Sequence, residues 1–339
     1  MKKFELPCLY YPTTAVIIDD DEIFLKNTAL ELDSDIHYKT YQDPLRALND
    51  LKKLKSQNKL LSHAITLNTD DSLEGGQYPM NLNISSIFKE AYNKNPYEEV
   101  SVVVVDYSMP QMNGAHLLEQ LVDIPIQKIT LTGQADEAFA VKLFNDGIID
   151  KFIPKGSQSL KKTLNESIQD LRKKYFHGLS DIILKSLSLQ SEFYFFDPAF
   201  IKFFNHILAG ISIPSYYLIE TSGSFLILDH NASPTWLLVR SEDETLEFAQ
   251  QAEAEGAPME IVNPIKNGEK ISYFNDFDEY VDATQGHWEK YLYPAKELLG
   301  EKKYRYALAN NLPGFPLNKD KILSFNEYLK SSLSAQHIK

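Results

Sequence analysis

Residues 101–106, with the sequence SVVVVD, decide the fold that we predict for the first half of the chain. Four consecutive valines are typical of a strand buried on both faces, and such strands occur in parallel sheets covered by helices. Further apolar runs of strand length lie at residues 15–19, 36–41, 128–132 and 151–154. Amphipathic stretches of helix length alternate with them, at residues 23–33, 44–54, 115–121, 137–146 and 159–176. The alternation predicts a doubly wound α/β domain with a five-stranded parallel sheet over residues 14–176.

Charged and hydroxyl side chains stand at the carboxyl ends of the predicted strands. Asp19 and Asp20 end the first strand, Asp106 the third and Thr132 the fourth, and Lys155 follows the fifth. Because ligands of open α/β sheets bind beyond the carboxyl ends of the strands, we expect these side chains to converge at one edge. Phosphoryl transfer to a carboxylate requires a nucleophile, a divalent cation and a fixed positive charge. This edge supplies residues for each role.

The predicted metal ligands are all oxygen atoms. Asp19, Asp20, Asp106 and the main-chain carbonyl of Ser108 are enough protein ligands for one cation. Hard oxygen ligands, supplemented by water and phosphate, suit Mg²⁺ better than Zn²⁺. The Lys155 ammonium is a point charge on a flexible stem, which suits it to hold an acyl phosphate.

Four motifs together resemble the receiver domain of two-component response regulators: VIIDDD at residues 16–21, DYSMPQMNG at 106–114, LTG at 131–133 and FIPK at 152–155. The resemblance implies a flavodoxin-like (CheY-like) fold. It implies that Asp106 is the phosphoacceptor, that Thr132 and Lys155 form the signalling pair, and that Phe152 is the aromatic switch residue. The expected phosphodonor is a sensor histidine kinase or a phosphotransfer protein. A phosphorylation-dependent homodimer through the fourth helix, fifth strand and fifth helix is a further expectation.

The sequence departs from the receiver pattern in two places. Gly156 stands where receivers often have proline, and residues 55–99 form an insertion before the third strand. The insertion has a polar first part, with Asp70, Asp71, Gly75 and Gly76, and a second part at 84–92 with a helical apolar pattern. It is either a partly ordered excursion or a partner-binding appendage. Asp21 and Glu22 are predicted to open the first helix, and Asn113–Gly114 to form a turn.

The second half of the chain predicts a different architecture. Residues 1–13 are an N-terminal extension, residues 177–190 a linker helix, and residues 191–339 an α+β output domain. The helical apolar spacing that runs from 160 to 183 is explained either by packing on the receiver sheet or by a coiled dimer stem. Predicted output strands lie at 216–220, 225–229, 235–240, 259–262 and 270–274, the first three as an antiparallel meander. Predicted output helices lie at 242–255, 280–299 and 323–333.

Charge argues against DNA binding by the output domain. Residues 179–339 carry 14 Lys and Arg against 22 Asp and Glu, and the whole chain has a net charge of −13. No phosphate-binding loop or dinucleotide turn occurs, and the eight histidines lack the spacing of a helical zinc site. An acidic cluster, Asp276, Asp278, Glu279 and Asp282, is interpreted as a solvated helix start, with a cation site as the alternative.

Two kinds of output therefore stay open: a protein-binding or small-ligand-binding module, or a cryptic nucleotide-binding or enzymatic domain. DNA-binding regulation is a third option. The combination of an inserted receiver and this output resembles quorum-sensing response regulators, which implies an output fold with nucleotide-binding relatives. We expect no enzymatic activity beyond the receiver's own phosphorylation and dephosphorylation.

Cellular location follows from composition. The single cysteine excludes an internal disulfide framework and fits a reducing compartment. The first residues contain Glu5, Pro7 and Pro12 and no apolar run long enough for a signal peptide or a membrane span. We therefore expect a cytoplasmic protein that does not enter a membrane.

Overall fold

The computed structural model describes residues 6–54, 65–67, 80–133, 136–190, 194–313, 315 and 317–336. The chain divides into two compact units. We call the unit made of Tyr10–Asn81 and Lys94–Asp181 the parallel unit. The other, made of Met1–Leu9, Leu82–Asn93 and Ile182–Lys339, is the antiparallel unit. The polar residues predicted for the first part of the insertion, at 70–76, lie outside the described residues.

The strands, in chain order, are β1 (Leu9–Tyr10), β2 (Thr14–Ile18), β3 (His37–Tyr41), β4 (Ile65–Leu67), β5 (Met80–Leu82), β6 (Val100–Asp106), β7 (Gln127–Thr132), β8 (Lys151–Pro154), β9 (Ser215–Leu218), β10 (Phe225–Leu228), β11 (Pro234–Ser241), β12 (Lys270–Ser272), β13 (Leu292–Pro294), β14 (Lys296–Leu299) and β15 (Lys303–Ala309). The α-helices are α1 (Glu22–Glu31), α2 (Pro44–Lys53), α3 (Ser85–Lys89), α4 (Gly114–Glu119), α5 (Glu137–Asn145), α6 (Leu160–Gln190), α7 (Pro198–Ala209), α8 (Glu242–Ala254), α9 (Met259–Lys266), α10 (Phe277–Asp282) and α11 (Phe325–Gln336). No described helix has both the length and the apolar composition needed to cross a membrane.

The parallel unit contains the predicted doubly wound sheet. Its five strands lie in the order β3-β2-β6-β7-β8, and every neighbouring pair is parallel. All seven residues of β6 are buried, because apolar side chains cover the sheet on both faces. The predicted flavodoxin-like fold is confirmed. The strand order places β2 and β6 side by side at its centre, so that Asp106 and the residues following Ile18 meet at one edge.

The helix that follows β6 begins differently from the prediction. Asn113 and Gly114 were expected to form a turn, but Asn113 caps α4, where its side chain accepts the N–H of Ala115, and Gly114 is the first helical residue. A β-carbon at Gly114 would lie 2.1 Å from the main-chain oxygen of Asp106. Glycine is therefore required here by close approach of two backbone segments.

One helix of 31 residues, α6, spans the predicted last receiver helix and the predicted linker. Leu164, Ile168 and Leu171 on its first half pack into the core of the parallel unit, as the first of the two predicted alternatives requires. The helix passes from the parallel unit into the antiparallel unit between Asp181 and Ile182.

Parts of the chain far from residue 191 belong to the antiparallel unit. Its main sheet has six strands in the order β1-β9-β10-β11-β15-β14, so the N-terminal extension supplies an edge strand. The Leu218 N–H donates a hydrogen bond of 2.8 Å to the Cys8 carbonyl. The second part of the insertion forms α3 and a 3₁₀ turn, and its Phe88 ring packs against Phe315 at 4.6 Å. This part of the insertion is thus built into the antiparallel unit.

The predicted meander of β9, β10 and β11 is confirmed with antiparallel pairing, but two other predictions for this unit were wrong. Residues 259–262 form the start of helix α9 instead of a strand. A short apolar run does not distinguish the two, and here Ile261, Val262 and Ile265 are buried on one helical face.

The predicted helix at 280–299 is broken into pieces. Helix α10 passes into a π-helical segment, Ala283–His287, and a 3₁₀ turn, Trp288–Tyr291, and is followed by strands β13 and β14. Gly286, with a φ of 105°, lies in the left-handed region and interrupts the helix.

Candidate functional site

The predicted acids come together at the carboxyl edge of the parallel sheet. Asp19 follows β2, and Asp106 ends β6 on the neighbouring strand. Carboxylate oxygens of Asp19, Asp20 and Asp106 all lie within 4.8 Å of one another. Asp19 and Asp106 are buried, whereas Asp20 is more exposed. Among the described residues, this is the only group of three or more His, Cys, Asp or Glu side chains arranged to hold a metal ion.

Lys155 lies between the two buried acids. Its Nζ is 2.7 Å from Asp19 Oδ2 and 2.9 Å from Asp106 Oδ1, and it lies 4.6 Å from the centre of the Phe24 ring. The main-chain N–H of Lys155 donates to the carbonyl of Thr132, which fixes the start of the lysine side chain next to β7. The position of the ammonium therefore follows from the sheet register.

The charges in this cluster shift the pKa values of its members. Burial raises the pKa of Asp19 above its usual value, and hydrogen bonds from Lys155 and from the Asp21 N–H only partly offset this. Burial acts to lower the pKa of Lys155, but the hydrogen bonds and charges of Asp19 and Asp106 outweigh it and raise that pKa. Lys155 is thus held as a cation.

Thr132 places a hydroxyl at the carboxyl edge of the sheet. The side chain is fully buried at the end of β7, and its Oγ1 has no hydrogen-bond partner among the described residues. Thr130, two residues earlier, donates to the Val105 carbonyl instead. A buried hydroxyl without a partner is costly, so its position at the acid cluster indicates that a bound group satisfies it.

The loops that border the acid cluster are joined by contacts that the sequence did not reveal. The Ser108 hydroxyl donates a 3.0 Å hydrogen bond to Asp136, which precedes α5. The Tyr107 ring stacks on Phe139 of α5, with 6.1 Å between ring centres. Both contacts depend on how α5 packs, and no spacing pattern in the sequence indicates that.

Phe152, the predicted switch residue, lies half-buried in β8 against the core. Its ring meets Phe144 of α5 edge-on, at 6.4 Å. Phe144, which contacts Phe152, is 49% exposed, and Phe139 on the same helix is 58% exposed, so both leave apolar area on the surface of α5.

The donor set at the sheet edge fits Mg²⁺. Three carboxylates from two adjacent strand ends provide hard oxygen ligands, and the Ser108 main chain follows Asp106 in the same loop. Thr132 ends β7, the strand beside β6, and Lys155 contacts Asp106 at the end of β6, so a hydroxyl and an ammonium stand at the same sheet edge and suit a bound phosphoryl group.

The acidic cluster of the antiparallel unit has its own internal partners. Asp276 caps α10, and Asp278 and Glu279 lie in the first turn of that helix, as the predicted helix start requires. Asp282 accepts hydrogen bonds from Tyr291, His287 and Lys290, which lower its pKa to about 2.

Comparisons with known proteins agree with this geometry. No family model matches the chain, and no curated protein matches it. The solved structure of the Legionella pneumophila response regulator LqsR is 31% identical, with a TM-score of 0.78, and the match covers 97% of this chain and 96% of that one. A response regulator receiver domain from Clostridium thermocellum is 18% identical, over 48% of this chain and 95% of that one, with a TM-score of 0.32. A CheY-like receiver domain from Methanospirillum hungatei is 19% identical, over the same shares, with a TM-score of 0.32.

The likeness to LqsR extends over both units. It confirms the predicted resemblance to response regulators, and it does so over the whole chain. This chain therefore belongs to the family of response regulators that LqsR represents.

Proposed function

We propose that phosphorylation of Asp106 switches this response regulator. The phosphodonor is a sensor histidine kinase or a phosphotransfer protein, the reaction depends on Mg²⁺, and the protein acts in the cytoplasm. The observation that carries the proposal is the position of Lys155, which bridges Asp19 and Asp106. The Thr132 hydroxyl, without a partner among the described residues, ends the next strand of the sheet.

In the proposed transfer, an oxygen of Asp106 attacks the phosphorus of a phosphohistidine. A C–O–P bond forms, the N–P bond breaks, and the leaving imidazole nitrogen takes up a proton. Asp19, Asp20, Asp106 and the Ser108 carbonyl would hold Mg²⁺, which would supply positive charge to the phosphoryl oxygens. Lys155 exchanges its contact with the Asp106 carboxylate for one with the new phosphoryl group, and the Thr132 hydroxyl donates to another of its oxygens.

The signal then spreads through α5 and β8. Inward movement of Thr132 vacates space into which the half-buried Phe152 ring turns, and Phe144 loses its edge-on contact with it. The surface of α5, β8 and α6 becomes the contact of a phosphorylation-dependent homodimer. We propose that the output acts by binding a protein or a small ligand, without enzymatic activity and without contact to DNA.

Phosphotransfer from acetyl phosphate tests the central step. Intact-mass spectrometry of the wild type should show one added phosphoryl group with Mg²⁺ and almost none with EDTA. Asp106→Asn should remove the labelling, whereas Asp146→Asn, an exposed acid at the end of α5, should leave it unchanged. Undiminished labelling of Asp106→Asn would remove this residue from its proposed role.

The dimer is tested separately by light scattering of the beryllofluoride-bound protein. The wild type should double in mass, and Phe144→Ser should stay monomeric while it is phosphorylated at the normal rate. An unchanged wild-type mass would contradict the proposed dimer and leave the phosphorylation site unaffected.

A further inference from the structure

The antiparallel unit contains a cavity of about 320 Å³ between its main sheet and its helices. Residues from β11, α8, α9 and β12 line it, together with Ser222 from the turn before β10. The volume lies at the lower end of the range for small-molecule sites. The polar groups of the wall decide which ligand it accepts.

The one cation in the cavity wall is already neutralised. Arg240 donates to both oxygens of Glu220, at 2.6 and 3.2 Å, and also to the Ser222 hydroxyl and the Val239 carbonyl. The bidentate pair with Glu220 neutralises the charge that Arg240 would offer to an anionic ligand. The cavity wall therefore offers a phosphate or carboxylate ligand no unpaired cation among its lining residues.

The remaining charge in the wall is negative. Glu244 uses one carboxylate oxygen to accept the Ser241 N–H, in the capping box of α8. Glu247, one turn further along this helix and exposed, has no hydrogen bond or ion pair among the described residues. With Arg240 paired to Glu220, these two carboxylates leave a net negative potential over the cavity.

Two further features point to a ligand. The Ser272 side chain is 7% exposed and lines the cavity, and its hydroxyl has no partner within the part of the chain that the structure describes. Phe248 and Phe274 supply the apolar wall, with 5.5 Å between their ring centres. Aromatic faces next to carboxylates attract organic cations.

We propose that this cavity binds a small organic cation: a primary amine on a flat apolar body. The apolar body packs against Phe248 and Phe274, and the ammonium lies towards Glu247 and Glu244 within reach of the Ser272 hydroxyl. The inference deepens the proposed small-ligand output, on which it rests, and it is independent of the chemistry at Asp106.

Isothermal titration calorimetry of the unphosphorylated full chain tests the proposal with two probes that share a phenylethyl body and carry opposite charge. Phenethylamine should bind saturably with one site per chain, about tenfold or more tighter than 3-phenylpropionate at physiological ionic strength. Equal affinity for the two probes, or no measurable binding of the amine, would overturn the proposal. Tighter binding of AMP than of the amine would also overturn it, because the cavity would then serve an anionic nucleotide.

Matched variants locate the binding. Glu247→Gln, an exposed change, should weaken the amine about fivefold to tenfold, and Ser272→Ala should weaken it by a smaller factor. Glu255→Gln, an exposed acid at the end of the same helix that does not line the cavity, should have no effect. Equal losses in Glu247→Gln and Glu255→Gln would show attraction to the acidic surface as a whole and contradict the assigned site. Labelling of Asp106, measured on the same samples, separates this result from the phosphorylation proposal.

Discussion

Lys155 separates two buried carboxylates that would otherwise repel each other. Its side chain is 26% exposed and bridges Asp19, which is fully buried, and Asp106. Removing one partner of such a group leaves uncompensated charge in the interior. The lysine therefore stabilises the resting structure around the two acids.

We expect Lys155→Met to lower the free energy of unfolding of the parallel unit by about 2 kcal/mol in EDTA, because both acids lose their cation. Added Mg²⁺ should recover part of this loss, since it supplies positive charge to the same carboxylates. Urea unfolding followed by far-UV circular dichroism measures both values. Lys26→Met, which breaks an exposed pair with Glu22, should change stability by less than about 0.5 kcal/mol. A loss that is the same with and without Mg²⁺ would contradict the electrostatic explanation.

His37 on β3 gives the parallel unit a pH dependence. Burial, and then the charge of Arg172, lower the pKa of His37 to about 4. The unfolded chain thus binds a proton between about pH 6.5 and 4 that the folded chain does not, so stability falls as the pH falls through this window.

The expected loss from His37 between pH 7 and pH 4 is about 2 kcal/mol, allowing for partial exposure of the ring. Denaturant midpoints at several pH values measure it. In His37→Gln this part of the pH dependence should disappear, while the contribution of other groups stays. If the free energy of unfolding falls with pH by the same amount in the wild type and in His37→Gln, the predicted contribution of His37 is wrong.

At the level of single residues, sequence reasoning found every member of the acid cluster. It could do so because the carboxyl ends of parallel strands meet at one edge, so residue type and strand end together predict proximity. Phe24, Asp136 and Phe139 were not found, since their contacts depend on how α1 and α5 lie on the sheet. That packing arises from many small tertiary contacts, which no local pattern encodes.

At the scale of the elements, the junction of β6 and α4 leaves no room for a side chain at Gly114. Gly114→Ala would place a methyl group 2.1 Å from the Asp106 carbonyl oxygen, so helix α4 and the backbone at Asp106 must move apart. We expect a loss of about 2 kcal/mol in unfolding free energy and slower labelling of Asp106 by acetyl phosphate.

Gly178→Ala is the matched control for this change. Gly178 lies inside α6 with nothing within 4 Å of an added β-carbon, and alanine there should stabilise the helix by about 0.5 to 1 kcal/mol. Thermal unfolding ranks the two variants. Equal effects would mean that backbone entropy, and not close approach to Asp106, explains the glycine at 114.

The central strands of the parallel unit followed from periodicity, because β2 and β6 are apolar runs, whereas β3 (HYKTY) is largely polar. Asp21, Asp43 and Asn113 cap α1, α2 and α4 and mark where these helices begin. In the antiparallel unit the same method predicted a strand at 259–262, where helix α9 begins. It also predicted one helix at 280–299, across Gly286 and through β13 and β14, because Leu292 and Leu298 fit a helical pattern as well as a strand. Pairing with β12 and β15 decides these segments: β12 lies well before β13 in the chain, whereas β15 follows β14 directly as a hairpin. The spacing of the apolar residues does not show either pairing.

At the scale of the whole molecule, the output does not begin where the receiver ends. Leu9 of strand β1 comes before β2, and helix α3 comes before β6, yet both belong to the antiparallel unit, whose main sheet includes β1. Tyr92 of the insertion also contacts this unit, because its hydroxyl accepts a 3.0 Å hydrogen bond from the Asn318 N–H.

A fragment of residues 182–339 should therefore fail to fold cooperatively. It lacks the strand that covers the edge of β9 and the Phe88 ring that packs on Phe315. Both tryptophans of the chain, Trp236 and Trp288, are buried in this unit, so their fluorescence reports the result directly. A fragment that unfolds in one sharp transition, with the emission of the full chain, would contradict this prediction.

The route of the chain between the two units also limits how such a protein evolves. The backbone passes from one unit to the other after Leu9, Asn81, Asn93 and Asp181. A gene fusion at a single point moves only one continuous piece of chain, and no single piece of this chain contains a complete output. Exchange of either unit for another module by a single recombination would therefore leave an incomplete fold.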